Sequence, residues 1–466
     1  MLHHQAHRRC CSPPLRSVPI SLRWLLSFGM PTDQAVQRTK LGNHVVVITE
    51  RVPAVRSASL GVWVKIGSRF EAPEQAGISH FIEHMLFKGT ANRSAKEIAF
   101  QIDSMGGQLD AFTTKEHACY FANVLDVHVE DAFELVSDIV LNPLFEEHQM
   151  ERERAVILEE LAAVEDAPEE LLWEEFSSTF WLDHPLGTPV LGTRETIEAL
   201  SCEDLSLFFR RAYEPANVVV TAAGRLDHEE ILELVEARFG GLENQGDPLE
   251  LTAPRTFQHF RILSKEELEQ VHIAVGCPGP SANEKERYAA FLLNAVLGGS
   301  VSSRLFQCIR EEHGLAYSVY SALETYADAG CFWIYAGTRP DAASTVLDLI
   351  IEELGVLREV PVSPEELSRM KENLKGSVML GLESTVGRMS TLAQQEMYFG
   401  HTFDMDEVLA GIDEVDAEQI QEMARRVFAD EGIAVDVLAQ RSVADKLNSR
   451  FADGLTLPAG SRLVLA

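Results

Sequence analysis

One short segment of the chain has residue types and spacing that could do chemistry at a metal ion. Between Gly77 and Gly89 the sequence places His80, Glu83 and His84 in the order H-x-x-E-H. If this segment is helical, positions i, i+3 and i+4 share one face, so both imidazoles could reach one ion. The glutamate could then take a proton from a metal-bound water. Apolar residues fill the other faces, which predicts a buried helix whose polar groups need such a partner. The alternative is an ordinary polar helix face.

A second, acidic segment could supply a third ligand. Glu153 and Glu160 are seven residues apart, so on a helix they fall on the same face, two turns apart. Val156 and Ile157 lie beside that face, which suggests that it points inward. The alternative is a solvated acidic helix, because glutamate is common on exposed helices.

Together the two segments resemble the pitrilysin family of zinc peptidases. The similarity is to its short-subunit branch, which includes mitochondrial processing peptidase β subunits and their bacterial relatives. The family combines the inverzincin motif H-x-x-E-H with a glutamate about 75 residues later, within E-R-x-V-I-x-x-E. Here 75 residues lie between His84 and Glu160, and the segment from Glu153 to Glu160 reads E-R-A-V-I-L-E-E. Short sequence segments at 67–71, 87–90 and 191–193 also resemble those of the family.

The resemblance implies a set of site residues in the first half of the chain. One Zn²⁺ ion per chain would be bound by His80, His84 and Glu160. Glu83 would be the general base, and Glu153 would orient a histidine ligand.

The resemblance also implies how a peptide is held. Arg310 and Tyr317 have the family's R-x6-Y spacing, which implies hydrogen bonds from the second half to the substrate carbonyl and the tetrahedral intermediate. A substrate strand would add to an edge strand near the zinc, where the family usually has Asn-Ala-Tyr or Asn-Ala-Phe. This sequence has Asp110, Ala111 and Phe112 at that place. The acid at 110 leaves open how the peptide backbone is held.

The activity implied is that of a zinc metallo-endopeptidase. Its substrates would be unfolded peptides, basic or presequence-like, hydrolysed in an enclosed cavity. Two alternatives stay open: a non-catalytic scaffold of the complex III core type, and the catalytic subunit of an obligate heterodimer with an inactive homologue. The presence of Arg310 and Tyr317 in this chain favours a self-sufficient homodimer.

Composition bounds the class of protein. The chain has 466 residues, 46% hydrophobic and 24% charged, which predicts a soluble globular protein of two or more domains. A net charge of −32 disfavours nucleic acid and favours basic partners. Seven scattered cysteines without a C-x-x-C pair indicate neither a disulfide framework nor a thiolate zinc site. A reducing compartment follows, and a bacterial-type cytoplasm is favoured; the mitochondrial matrix and the periplasm stay open.

The N-terminal segment differs from the rest. Its first 30 residues contain four arginines, and no acid precedes Asp33. This composition predicts a disordered basic tail, either a targeting segment or, since Met30 precedes the folded region, a misassigned start. No segment of the chain predicts a membrane span.

The elements around the motifs indicate an α+β fold. β-Branched runs at 45–49, 58–66 and 217–224 predict strands around the H-x-x-E-H helix. The second half repeats this order, with a strand at 270–276 and a helix at 286–297 that has no histidine pair. We expect two homologous halves, each a mostly antiparallel sheet covered by helices, facing each other across a cavity. The predicted division is a tail (1–35), a zinc-binding catalytic half (36–240), a linker (241–255), a half without metal that contributes substrate contacts (256–445) and a C-terminal tail (446–466).

Overall fold

The computed structural model describes residues 36–244 and 251–465. The predicted basic tail and the central part of the predicted linker lie outside the described residues. No helix within the two described ranges is long and apolar enough to cross a membrane.

The first half is built on a six-stranded sheet. Its elements are β1 (Val36–Lys40), β2 (Val46–Arg51), β3 (Ser57–Val64), α1 (Ile78–Leu86), α2 (Ala95–Ser104), β4 (Gln108–Thr113), β5 (Ala118–Leu125), α3 (Val129–Leu141), α4 (Glu147–Glu165), α5 (Pro168–Phe180), α6 (Arg194–Ala199), α7 (Cys202–Ala212), β6 (Val218–Gly224) and α8 (His228–Phe239). The strand order is β1-β2-β6-β3-β5-β4, and all neighbours are antiparallel except β2 and β6. Strand β4 therefore lies at one edge of the sheet.

The second half repeats this path on a five-stranded sheet. Its elements are β7 (Phe260–Ser264), β8 (Val271–Gly279), α9 (Arg287–Leu297), a π-helix (Phe306–Glu312), β9 (Ala316–Thr325), β10 (Gly330–Thr338), α10 (Ala343–Glu359), α11 (Pro364–Gly381), α12 (Thr385–Phe399), α13 (Met405–Glu414), α14 (Ala417–Val427), β11 (Ala434–Ala439), α15 (Arg441–Arg450), β12 (Leu455–Thr456) and β13 (Arg462–Leu463). The order β7-β11-β8-β10-β9 matches β2-β6-β3-β5-β4, with β9 at the edge that β4 occupies in the first sheet. The prediction of two homologous halves built on mostly antiparallel sheets is confirmed. Helix α9 follows β8, the strand that corresponds to β3 in the sheet order, as α1 follows β3, but α9 has no histidine.

The two halves exchange helices. Helix α5 of the first half packs on β8 and β11, and α12 of the second half packs on β2, β3 and β6. Each helix places a side chain against a strand glycine. A Cβ at Gly276 would lie 2.2 Å from the ring of Phe176, and a Cβ at Gly61 would lie 3.0 Å from the sulfur of Met389. Each sheet thus has one face covered by its own half and the other by a helix of the opposite half, so neither half has a complete core alone.

A buried polar cluster, which we call the Arg69 cluster, also joins the halves. Arg69 contacts Glu116 at 2.6 Å, on the β4–β5 turn, and Asp328 at 2.7 Å, on the β9–β10 turn. Glu116 also accepts hydrogen bonds from the Tyr398 hydroxyl at 2.8 Å and from the Ala327 N–H at 3.1 Å. The turn that ends edge strand β4 is therefore fixed to the second half.

Breaking the Arg69 cluster is expected to destabilise the protein. The Arg69→Met variant leaves the buried Glu116 carboxylate without its cation, so the free energy of unfolding should fall by about 3 kcal/mol. Chemical denaturation followed by fluorescence measures this change. The control is Arg56→Met, whose partner Asp126 is paired at the surface and whose loss should leave the unfolding midpoint unchanged. Equal midpoints for the two variants would contradict a structural role for the cluster.

The end of the chain differs from the expected tail. Residues 446–466 were predicted to form a C-terminal tail, but α15, β12 and β13 pack on the second half. Buried apolar side chains anchor this segment: Leu447, Phe451, Leu455, Leu457 and Leu463. The spacing of these residues follows neither a helical nor a strand period throughout, which is why the sequence pattern did not indicate their burial.

Candidate metal centre

Helix α1 begins at a glycine in the left-handed region. Gly77 has φ +90°, and a Cβ there would lie 2.6 Å from the Leu191 carbonyl oxygen. The Glu71 carboxylate accepts hydrogen bonds from the N–H groups of Gly77 at 2.7 Å and Ser79 at 2.8 Å, which satisfies the free end of the helix. Burial raises the pKa of Glu71 to about 7, against the lowering effect of these bonds. The sequence segments 67–71 and 191–193 therefore position α1, the first through Glu71 and the second through Leu191.

The faces of α1 divide as its sequence predicts. Its apolar side chains are fully buried in the core of the first half: Ile78, Phe81, Ile82, Met85 and Leu86. The helix contacts α4 and β4, and the side chains of His80, Glu83 and His84 meet groups from these two elements. Burial of the apolar faces leaves α1 little freedom to rotate, so the polar face is held toward α4.

Three side chains converge as metal ligands would. The Nε2 atoms of His80 and His84 lie 3.7 and 3.5 Å from the same oxygen of Glu160. Zinc with bonds of 2.0 to 2.2 Å in a tetrahedron separates its ligand atoms by about 3.3 Å, close to these distances. Burial, with the neighbouring His84 charge, lowers the pKa of His80 to about 3, so this imidazole is neutral as a ligand must be. The two imidazoles and one carboxylate fit a zinc ion.

A second carboxylate supports His84 from behind. Glu153 lies 3.2 Å from His84 Nδ1, and its other oxygen contacts Lys88 Nζ at 2.9 Å. Burial acts to lower the pKa of His84, but the hydrogen bonds to Glu153 and Glu160 outweigh it and raise the pKa to about 9. The site thus favours positive charge at His84, which a divalent cation would supply in place of the proton. The Glu153 contact also fixes which ring nitrogen faces Glu160.

Glu83 faces the edge strand. The Thr113 hydroxyl of β4 donates a 2.5 Å hydrogen bond to Glu83 Oε2. Burial raises the pKa of Glu83 to about 7, against the lowering effects of Thr113 and His84. A carboxylate with a raised pKa beside two histidines that could bind a metal ion is suited to proton transfer near neutral pH.

The sequence patterns did not identify Thr113 and Lys88 as residues of the site. Lys88 lies four residues after His84, so helical spacing alone could have placed it near the same face. Thr113 lies two residues after Ala111 on a strand, which puts both on one face of the sheet. That this face meets α1 depends on sheet packing, which the local pattern does not contain.

The three residues expected to contact substrate lie on β4 and play different parts there. The Phe112 ring packs 5.6 Å from the ring of Trp63, so its side chain belongs to the core. Asp110 is exposed, and its carboxylate accepts a 2.9 Å hydrogen bond from the N–H of Ala111. The backbone of this strand and the exposed carboxylate of Asp110 are therefore the parts of it that an extended peptide could contact.

Arg310 and Tyr317 lie together on the second half. Arg310 donates a 3.0 Å hydrogen bond to the Tyr317 carbonyl oxygen, and its guanidinium lies 4.9 Å from the Tyr317 ring centre. The Tyr317 side chain is 79% exposed, at the start of edge strand β9. Within the described residues no hydrogen bond or ion pair joins either residue to His80, Glu83 or His84. The structure therefore brings together the first-half residues and, separately, this pair.

Loss of the supporting carboxylate should weaken zinc binding. In Glu153→Gln the amide is a weaker acceptor for the His84 ring, so zinc affinity is expected to fall about 10- to 100-fold. Competition with a chromophoric chelator measures the affinity. Glu159→Gln, an exposed change on the same helix, is the matched control and should bind zinc as the parent does. If Glu153→Gln and its control bind zinc equally, Glu153 does not support the ligand.

Comparison with known proteins bears on both halves. The model of the insulinase family (peptidase family M16) matches residues 46–194, and the model of the peptidase M16 inactive domain matches residues 199–374. The first match contains all residues of the candidate metal centre, and the second contains Arg310 and Tyr317.

Curated bacterial relatives align over most of the chain. An uncharacterized zinc protease of Streptomyces coelicolor is 40% identical over 400 residues, covering 84% of this chain and 87% of that protein. The uncharacterized zinc protease YmxG of Bacillus subtilis is 39% identical over 396 residues, covering 85% of this chain and 96% of that protein. These proteins are named as zinc proteases, which agrees with the ligand types at the candidate centre.

Solved structures share the fold. A protease from Helicobacter pylori superposes with a TM-score of 0.82 at 22% identity, covering 88% of this chain and all of that chain. A peptidase M16 inactive domain from Pseudomonas fluorescens superposes with a TM-score of 0.80 at 19% identity, covering 87% of this chain and 98% of that chain. With both family models matched in chain order and relatives near 40% identity over more than four fifths of the chain, the resemblance first seen in H-x-x-E-H is confirmed: the chain belongs to peptidase family M16.

Proposed function

We propose that the protein is a zinc-dependent endopeptidase that hydrolyses unfolded peptides. The observation that carries this proposal is the convergence of His80, His84 and Glu160 beside the buried carboxylate of Glu83. The zinc protease names of the bacterial relatives support it.

The chain's own residues account for proton transfer. Zinc, when bound, supplies a Lewis acid that activates water and polarises the scissile carbonyl. Glu83 accepts the proton of the attacking water and delivers it to the leaving amine. Thr113 holds one Glu83 oxygen, so the other is available for this transfer. Glu153 keeps the His84 ring in the orientation that ligation needs.

The edge strand β4 aligns the peptide. An extended substrate would add to this edge of the sheet through backbone hydrogen bonds, next to Thr113 and therefore next to Glu83. The Asp110 carboxylate already accepts the Ala111 N–H, so an incoming strand would compete with it. Asp110 thus weakens backbone capture relative to an uncharged side chain, or favours substrates with a cation at that position.

Arg310 and Tyr317 would complete the site when the halves approach. Edge strand β9 in the second half corresponds to β4 in the first, and its exposed Tyr317 is free to reach a substrate carbonyl. Their donors would stabilise the negative charge that develops on the carbonyl oxygen.

Removing the Tyr317 hydroxyl should slow the reaction and spare zinc. The Tyr317→Phe variant loses a donor to the developing oxyanion, so kcat is expected to fall about 10²- to 10³-fold with little change in KM. Steady-state kinetics on a fluorogenic peptide measure both constants, with zinc content determined in parallel. Ser318→Ala, one residue along β9, is the control. A Tyr317→Phe variant as active as its control would remove Tyr317 from the reaction.

Substrate class follows from access and charge. An enclosed site admits extended peptides rather than folded proteins, and a net charge of −32 attracts basic ones. We place the enzyme in a bacterial-type cytoplasm and expect the single chain to act without an inactive partner, as a homodimer.

The proposal is tested with unstructured peptides of about 20 to 30 residues, a size suited to a domain-scale cavity. Basic and acidic peptides of equal length are incubated with the zinc-loaded chain, with the chelated chain and with the chain after zinc is restored. We expect zinc-dependent cleavage with basic peptides preferred, and elution as a dimer on gel filtration. Absence of cleavage with zinc bound would overturn self-sufficiency in favour of an obligate partner. Absence of both zinc and cleavage would overturn the peptidase in favour of a scaffold subunit.

A further inference from the structure

A second group of metal-ligand side chains lies on the second half, away from the site already described. Cys308, Glu312 and His313 each offer one ligand atom, and these atoms lie within 4.8 Å of one another. The group includes a thiol and an imidazole, so it differs from the acidic clusters common on protein surfaces.

The π-helix explains why these three residues meet. The N–H of His313 donates to the carbonyl oxygen of Cys308 at 3.2 Å, the i to i+5 bond that defines this helix. In an α-helix Cys308 would be matched with Glu312 alone, but the wider π-turn places both i+4 and i+5 beside i. The sequence spacing C-x3-E-H therefore has no obvious meaning until the π-helix is seen. π-Helical segments are rare and often occur at functional sites.

The distances suit a thiophilic cation. Cys308 Sγ lies 3.9 Å from His313 Nδ1, and a tetrahedral zinc with bonds of 2.3 Å to sulfur and 2.0 Å to nitrogen separates these ligand atoms by about 3.5 Å. The Cys308 carbonyl oxygen accepts a 2.8 Å hydrogen bond from His313 Nδ1–H, so a cation bound at Nδ1 would have to replace this proton and this hydrogen bond. We propose that Cys308, Glu312 and His313 form a second site for divalent cations that prefer sulfur and nitrogen ligands, such as Zn²⁺ and Cd²⁺.

The surrounding charges favour a cation there. Burial, followed by the carboxylates of Glu353, Glu312 and Glu352, raises the pKa of the Cys308 thiol. The same negative field that disfavours a bare thiolate attracts a divalent ion, although Arg304 offsets Glu353 at 3.0 Å. The nearest cation along the turn, Arg310, contacts the rings of Phe306 and Tyr317 instead.

The second site should bind more weakly than the first. Glu312 and His313 are exposed and Cys308 is half-buried, so water competes for every ligand. Among the described residues no carboxylate contacts the His313 ring as Glu153 contacts His84, and such support is worth about 10- to 100-fold in affinity. The Kd of the second site should therefore be higher than that of the His80–His84–Glu160 centre by at least that factor, so the second site fills later.

The experiment is a cadmium titration of the full chain already loaded with one equivalent of zinc. We expect a second equivalent to bind with an ultraviolet thiolate-to-metal charge-transfer band. Cys308→Ser should abolish this band, and His313→Ala should weaken the second binding step at least tenfold. The matched control is Cys202→Ser, a half-buried cysteine beside Met150 that should keep the band.

Alkylation gives a readout that does not depend on spectra. Cadmium should protect Cys308, but not Cys202, from iodoacetamide, as followed by peptide mass spectrometry. Cys10 and Cys11 are present in parent and variants alike, so differences between proteins isolate Cys308. An equal band in Cys308→Ser, or equal alkylation of Cys308 with and without cadmium, would overturn the proposal. Neither readout requires peptidase activity, so the test of this second site does not depend on the proposed function.

Discussion

The Glu83→Gln variant is expected to keep its zinc and to lose peptide hydrolysis by about 10²- to 10⁴-fold in kcat. Glutamine has nearly the same shape as glutamate, and its amide oxygen can still accept the hydrogen bond of Thr113. It cannot accept a proton from water. Burial raises the pKa of Glu83 to about 7, so this carboxylate can exchange a proton near neutral pH, which the glutamine amide cannot do.

Activity and metal content have to be measured on the same preparation. Hydrolysis of a fluorogenic peptide gives kcat, and atomic emission gives zinc per chain. Glu74→Gln, an exposed change in the loop that leads to α1, is the matched control and should behave as the parent does. If Glu83→Gln holds one zinc and retains full activity, the assignment of Glu83 as the general base is wrong.

The His84→Ala variant should lose zinc and activity together. His84 lies between Glu160 on one side and Glu153 on the other, so its removal takes away a ligand, leaves Glu153 without its histidine and leaves Glu160 with His80 alone. The loss of zinc affinity should exceed the roughly 10- to 100-fold expected for Glu153→Gln, which removes only the support of that ligand.

Thermal unfolding distinguishes loss of the ion from loss of the fold. A ligand present at about 1,000 times its Kd stabilises the native state by about 4 kcal/mol, so zinc should raise the Tm of the parent. His84→Ala should fold, because the Glu71 cap and the buried face of α1 remain, but its Tm should not respond to zinc. The exposed His148→Ala is the control. Stoichiometric zinc retained by His84→Ala through dialysis would contradict the ligand assignment.

Much of the candidate metal centre could be predicted because helical spacing fixes it. His80, Glu83 and His84 share a face in any helix, and Glu153 and Glu160 share a face two turns apart. The spacing does not show that these two helix faces lie against each other; the family resemblance implies that they do. The Thr113 contact could not be predicted, because it depends on β4 lying at the sheet edge beside α1.

The fold was predictable in its elements and in its repeat, but not in its exchanged helices. The sequences of α5 and α12 show that one face of each helix is apolar, and say nothing about which sheet covers that face. Phe176 contacts Gly276, which lies a hundred residues away in the other half. The Arg69 cluster likewise joins side chains from separate turns, and no local period connects Glu116 with Tyr398. Long-range contacts of this kind are set by the assembled core.

The exchanged helices limit the motion available for substrate entry. Separating the halves would withdraw Phe176 from Gly276 and Met389 from Gly61, exposing apolar faces of both sheets to water. A rotation that leaves these two contacts in place exposes much less apolar surface. Opening is therefore expected to be a hinge rotation about a line through the two glycine contacts. Because the Arg69 cluster also joins the β4–β5 turn to the β9–β10 turn, only the parts of edge strands β4 and β9 away from these turns can separate unless that cluster breaks. A peptide would then enter between two edges that part and close as a pair, while the sheets behind them stay joined.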